Sequence, residues 1–155
     1  MEDDILKKPV PRFKGCFVCG RENPIGLNLQ LYLEEDKVTG EFTPQFEHQG
    51  YRGIAHGGIL STVMDEAMVW APKLAREVIC IGVELSVRFL NPAHIGEPLD
   101  IEARLVRDRR KIFETSAELR RKDGTVVAKA EGKFMTVSKE QAEDVATYLE
   151  PGEES

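Results

Sequence analysis

Cysteine is scarce in this chain of 155 residues, with only three and therefore an odd count. A disulfide framework is thus excluded as its organising principle, and a reducing, cytoplasmic compartment is expected. No apolar run approaches the length of a membrane span, and Met1-Glu2-Asp3-Asp4 lacks the apolar core of a secretory signal. Positive charge is in deficit: 21 Lys and Arg against 27 Asp and Glu give a net charge of −6. That balance argues against a nucleic-acid partner, whereas an anionic small ligand would need only a local group of cations. Internal repeats and low-complexity segments are lacking too. What is present, 41% hydrophobic and 31% charged residues, describes one soluble globular domain. It is long enough to bury a core without metals or many disulfides.

The periodicity changes along the chain. Pro9 and Pro11 lack amide donors, so residues 1–14 are expected as a loose or surface-hugging arm, flexible and outside the domain. Residues 27–33 and 37–43 are expected strands, joined by the turn-prone Glu34-Glu35-Asp36. A polar, glycine-rich loop follows. From Gly57 to about Ala75, apolar residues recur at a 3.6-residue period, which predicts one long helix. Pro72 should end its main part near Ala71. Four further strands are expected at about 78–89, 99–107, 111–121 and 125–137. Arg107–Arg110 and Lys122-Asp123-Gly124 would form the hairpin turns. The domain then spans 15–138, and 139–155 is a C-terminal segment ending in a frayed acidic tail. A curved antiparallel sheet of about six strands wrapped around one central α-helix satisfies this α+β pattern.

Chemistry concentrates at Ala55-His56-Gly57-Gly58, which opens the helix, and at Asp65-Glu66 within it. Backbone N–H groups at a helix start are unpaired and can hold a developing negative charge. Glycine lets a ligand approach them closely. A carboxylate among Met64, Ala67 and Met68 is costly unless it has a partner or a task. These residues suggest an oxyanion site with Asp65 as nucleophile or general base. The competing readings are a tight entry turn at Gly57 and Gly58 and an interface acid at Asp65. Glu66 lies on the opposite flank and is expected to be structural. Eight residues of helix span roughly 12 Å, so Gly57 and Asp65 of one straight helix cannot grip one carbonyl. Two antiparallel helices about a two-fold axis can, which predicts a site made by Gly57 of one chain and Asp65 of its partner.

Cys16 and Cys19 have metal-knuckle spacing, but no second Cys-x-x-Cys or close His pair completes a zinc site. A packed turn is expected there, with no metal ligands, and a redox pair is the alternative. Cys80 is expected in the core. The basic runs at 107–111 and 120–122, together with Arg52 and Arg88, are either solvated surface or contacts for phosphates.

The order strand, long helix, four strands, with His-Gly-Gly opening the helix and an acid nine residues after the His, resembles the hotdog-fold thioesterases. Cys16-Phe17-Val18-Cys19-Gly20…Asn23-Pro24-Ile25-Gly26-Leu27 and His48-Gln49-Gly50…His56-Gly57-Gly58…Asp65-Glu66-Ala67 are similar to the PaaI-like acyl-CoA thioesterases over roughly residues 15–137. The resemblance implies a homodimer, often paired into tetramers, that hydrolyses acyl-CoA without a metal or organic cofactor. It implies that the Gly57 N–H polarises the thioester carbonyl and that Asp65 attacks it or activates water. Related enzymes often carry an Asn or Gln seven residues before the oxyanion glycine. Here Gly50 stands there, with Gln49 and His48 beside it as candidate substrate contacts. His56, Gly58 and Ser61 complete that set, Ser61 replacing a hydroxyl that relatives place on the strand after the helix. The alternatives are a hotdog hydratase or dehydratase, using His48 or His56, and a non-catalytic acyl-CoA-binding module.

Overall fold

The computed structural model describes residues 6–153. Nine strands and two α-helices follow in order: β1 Lys7–Pro9, β2 Arg12–Phe13, β3 Leu31–Glu34, β4 Lys37–Phe42, α1 Gly57–Trp70, β5 Cys80–Phe89, β6 Leu99–Asp108, β7 Ile112–Arg121, β8 Val126–Thr136, α2 Lys139–Ala146 and β9 Leu149–Glu150. Seven strands form one antiparallel sheet in the order β1-β3-β4-β6-β7-β8-β5, and β2 pairs with β9 in a second, two-stranded sheet. The large sheet wraps α1, which packs against β4 through β8. This is the hotdog fold, with one more strand in its sheet than the six expected.

Period-2 alternation aims one side of each long strand at the helix. On β7, Phe113, Thr115, Ala117 and Leu119 are buried while their neighbours are not. Ala103, Ala117 and Ala130 stand directly opposite one another across β6, β7 and β8, and all are buried. That row of small side chains keeps the middle of the concave face flat enough to admit a helix. The helix answers with Leu60, Val63, Met64, Ala67, Met68 and Ala71, spaced for one face. Phe113 and Phe134 are fully buried, and truncating either to Ala should cost about 3–5 kcal/mol.

The turns follow their residues. β3 and β4 meet through Glu35 and Asp36, with Glu35 at φ 54. Gly124 takes φ 93 in the β7–β8 turn, where Asp123 accepts a hydrogen bond from the Thr125 N–H at 2.8 Å. Pro72 falls in a short 3-10 turn, Ala71–Leu74, that ends α1 where expected.

The N-terminal segment, expected as a flexible arm, is tied down from Lys7 onward. β1 pairs with β3, and the Phe13 ring stacks on Trp70 with centroids 5.5 Å apart. Pro9 is tolerated because β1 is an edge strand. The expected frayed tail is likewise anchored as far as Glu153, whose N–H donates to Gln30 Oε1 at 2.8 Å and whose carboxylate pairs with Arg21 at 3.2 Å. Residues 1–5 and 154–155 of these two segments lie outside the described residues. The unanticipated α2 begins with a capping box between Ser138 and Gln141.

Candidate active site

The loop before α1 is fastened by its own polar groups. The His56 N–H donates to His48 O at 2.7 Å, the Ala55 N–H to Ala93 O at 2.8 Å, and the Gly50 N–H to Ile54 O at 2.9 Å. Gln49 Oε1 accepts from the Gly53 N–H at 2.9 Å, holding Gly53 at φ 80. His48 Nδ1 accepts from the Gln45 N–H at 2.9 Å, and its ring leans on Phe42. Both candidate substrate contacts, His48 and Gln49, therefore commit one polar atom each to shaping this loop.

His56 is the N-cap of α1, and its Nδ1 accepts from the Gly58 N–H at 2.8 Å. That bond distinguishes Gly58 from Gly57, the glycine expected as the donor. The Gly58 donor is occupied, whereas the Gly57 N–H has no partner among the described residues. The Gly57 donor sits at the positive end of the helix dipole. Ser61 Oγ donates to Gly57 O at 2.8 Å, so its hydroxyl is tied to the helix backbone. The ring of Phe89, from the end of β5, lies over Gly57: a Cβ added there would stand 3.0 Å from Phe89 Cζ. Sequence reasoning missed Phe89, whose only signal is an aromatic ending an apolar strand.

Two turns along, Asp65 is half-buried on the flank that faces β5. A Cβ on Gly82 would sit 3.6 Å from Asp65 Oδ1, so Gly82 leaves open the space beside the carboxylate. Asp65 has no ion pair or hydrogen bond to its carboxylate among the described residues, and burial raises its pKa above the ordinary 3.8. A carboxylate kept without a cation is poorly stabilised as an anion and correspondingly basic.

Glu66 turns to the other side. It is buried, receives the Trp70 indole N–H at 3.3 Å, and burial pushes its pKa up to about 7. It thus has the structural placement expected, and neighbouring positions on one helix cannot act as a paired acid and base. Four of the seven hairpin cations are held in ion pairs: Arg107 with Glu114, Arg120 with Glu118, Arg121 with Glu97, and Lys122 with Glu41 and Asp100. Arg52 and Arg88 have no carboxylate partner among the described residues.

Several apolar side chains of β5 are exposed. Ile81, Val83 and Phe89 keep 49%, 55% and 53% of their surface accessible. β5 is also an edge of the sheet, pairing only with β8. An open apolar edge strand is a surface that proteins normally cover.

A long helix wrapped by an antiparallel sheet is the architecture this chain shares with solved thioesterase superfamily structures. The sequence model of the thioesterase superfamily matches residues 52–128 of this chain. It is similar to mouse (Mus musculus) acyl-coenzyme A thioesterase THEM5, at 32% identity over 113 residues, covering 72% of this chain and 45% of that one. It is also similar to human (Homo sapiens) acyl-coenzyme A thioesterase 13, at 28% over 87 residues, covering 56% of this chain and 62% of that one. The chain thus spans about half the length of these curated relatives. The Escherichia coli PaaI protein from the phenylacetic acid degradation operon shares the fold, with TM-score 0.67 at 18% identity over 72% of this chain and 81% of that one. No helix among the described residues is long and apolar enough to cross a membrane.

Proposed function

We propose that this protein hydrolyses acyl-CoA thioesters in sites shared by two copies of the chain. The observation that carries the reading is the pairing of one free donor with one free acid on the same helix. The Gly57 N–H is unpaired at the start of α1, and Asp65 has no cation about 12 Å along it. A carbonyl must touch both within about 3 Å. A two-fold pairing along the exposed β5 edge would bring the start of one α1 to the middle of the other and cover Ile81 and Val83 together.

In such a site the thioester oxygen accepts from Gly57, with the helix dipole behind it. The partner's Asp65 attacks the carbonyl carbon or takes a proton from the water that does. Burial of Asp65 makes it a better base, and thiolate is a good leaving group, so no strong general acid is demanded. The Phe89 ring lies over Gly57, beside the donor. Gly58, His48, Gln49, His56 and Ser61 shape the loop and helix start in this scheme and do not bind the carbonyl. Arg52 and Arg88, with the hairpin residues Arg109, Arg110 and Lys111, have no ion pair among the described residues and are the candidates for the phosphates of CoA. Engagement of both His48 and His56 as caps weighs against a hydratase. Three free thiols suit a reducing, cytoplasmic setting, and pairing of dimers into tetramers is the expected higher assembly.

A thiol-release assay over short, medium, long and aryl acyl-CoAs tests this reading. Free CoA should appear with at least one class, and Asp65→Asn should lose at least about 100-fold in turnover. Binding of the esters without release of thiol in the wild type would leave a binding module instead.

A further inference from the structure

Away from the Asp65 flank, three metal-ligating side chains converge on the opposite side of α1. Cys16-Phe17-Val18-Cys19-Gly20 closes into a tight knuckle in which the Gly20 N–H donates to Cys16 O at 2.9 Å. Only glycine fits there, since a Cβ on residue 20 would stand 2.5 Å from Cys16 N. Cys16 Sγ accepts the N–H groups of Val18 and Cys19 at 3.4 and 3.5 Å, and Cys19 Sγ accepts that of Phe13 at 3.4 Å. Asn23 fastens the knuckle by donating to Gly15 O at 3.1 Å. Both thiols and the Glu66 carboxylate, from a different element, present ligand atoms within 4.8 Å of one another. Glu66 is 8% exposed, and its carboxylate has no cationic side chain in an ion pair among the described residues. Arg12 is 2% exposed and lacks a carboxylate partner among them, being held by Gln30 and Asn28. It lines one small cavity with Cys19, Glu66 and Trp70.

We propose that Cys16, Cys19 and Glu66 form a site for a thiophilic divalent cation, zinc by the chemistry of its donors, with water in the fourth position. Zinc takes thiolate at about 2.3 Å and carboxylate at about 2.0–2.2 Å, so tetrahedral ligand atoms lie roughly 3.5–3.8 Å apart. The three atoms lie within 4.8 Å of one another, at most about an ångström beyond that spacing. Amide N–H groups directed at both sulfurs are the outer-shell support that orients thiolate ligands. Two thiolates and a carboxylate carry three negative charges. A divalent ion leaves one, and the buried Arg12 beside them supplies a counter-charge. Cys16 is half-exposed and gives the entry path. The ion would fasten the N-terminal segment to α1, a structural task separate from the thioester site and independent of whether that site turns over. The sequence alone did not reach this because the third ligand lies 47 residues beyond Cys19, on a helix whose register hides which flank it faces.

The test uses the full chain, reduced and stripped of metal, with Co2+ as the probe and Zn2+ in competition against a chromophoric chelator. One ion per chain, with thiolate-to-cobalt charge-transfer absorption displaced by Zn2+, is the expected result. Cys16→Ser and Cys19→Ser should each abolish that absorption. Glu66→Gln should weaken binding by at least about tenfold, the lower bound known even for outer-shell partners. Zn2+ should also raise the midpoint of thermal unfolding of the wild type. Failure of the reduced wild type to take up either ion overturns the proposal without reference to any variant. So does uptake that survives loss of the cysteines, or Glu66→Gln binding with unchanged affinity. A Cys16–Cys19 disulfide whose reduction yields no metal affinity would mark the knuckle as a redox pair instead.

Discussion

Replacing His56 separates a cap from a catalyst. Its Nδ1 holds the Gly58 N–H at 2.8 Å and it has the extended backbone of an N-cap, φ −63 and ψ 133. Removing such a cap costs about 0.5–2 kcal/mol. For a domain of this size each kcal/mol lowers the melting temperature by about 2–4 °C. His56→Ala should therefore melt roughly 1–8 °C lower. Its kcat/KM should fall by less than about tenfold, because the Gly57 donor survives on a looser helix start. His56→Asn should recover most of both, since Asn caps as well as any residue. Scanning calorimetry and the thiol-release assay on the same preparations give the two numbers. A general base would behave differently: both variants would lose on the order of 100-fold or more in kcat/KM, with Asn offering no rescue. That outcome would refute the capping assignment.

Other consequences follow from the same geometry. Asp65 is held above its ordinary pKa by burial, so the folded chain binds its proton more tightly than the unfolded chain. The contribution of this group to wild-type stability is therefore intact below pH 3.8 and declines as pH rises through the folded value. Asp65→Asn should match the wild type in urea melts below that pH and exceed it at neutral pH, and an equally stable or weaker variant at neutral pH would contradict this sign. The acid limb of the wild-type kcat/KM profile should likewise inflect above 3.8. Gly57→Val places Cβ 3.0 Å from Phe89 Cζ and crowds the donor; kcat/KM should fall about 100- to 1000-fold, as steady-state kinetics would register, with the circular dichroism of the fold unchanged. Val83→Lys on the exposed edge of β5 should sediment as a monomer and lose thiol release together with dimerisation; an active monomer would separate the two.

Much of this architecture was legible because local chemistry and tertiary packing agree. Strands β3 to β8 fall in the six expected stretches, the first only as Leu31–Glu34 and not from residue 27, with turns at Glu35, Arg110 and Gly124 between them, and α1 ends before Pro72. The N-terminal pairings were not, because Lys7–Pro9 and Arg12–Phe13 are too short and too proline-rich to carry a period and take their order from strands far along the chain. The helix α2 was missed although Ser138 and Gln141 form a capping box, since few apolar positions mark its inner face. At the candidate site, the residue types pointed to the right segment. They favoured Gly57 as the donor through the family resemblance, but that Gly58 loses its own depends on where the His56 ring turns. Nor could they say that His48 and Gln49 would each commit a polar atom to the loop, or that Phe89 would come to lie over Gly57. Side-chain direction across elements carries these distinctions, and one-dimensional spacing does not record it.

Mixed dimers of Asp65→Asn and Gly57→Val chains put the shared site to the sharpest trial. Each variant alone is defective in both of its sites. If the donor and the acid come from different subunits, a heterodimer holds one site with both defects and one with none. Random mixing by co-refolding or co-expression should then restore about a quarter of wild-type thiol release per chain. If both groups act from within one chain, every site in the mixture keeps a defect, and activity that stays at the level of the separate variants would contradict the account.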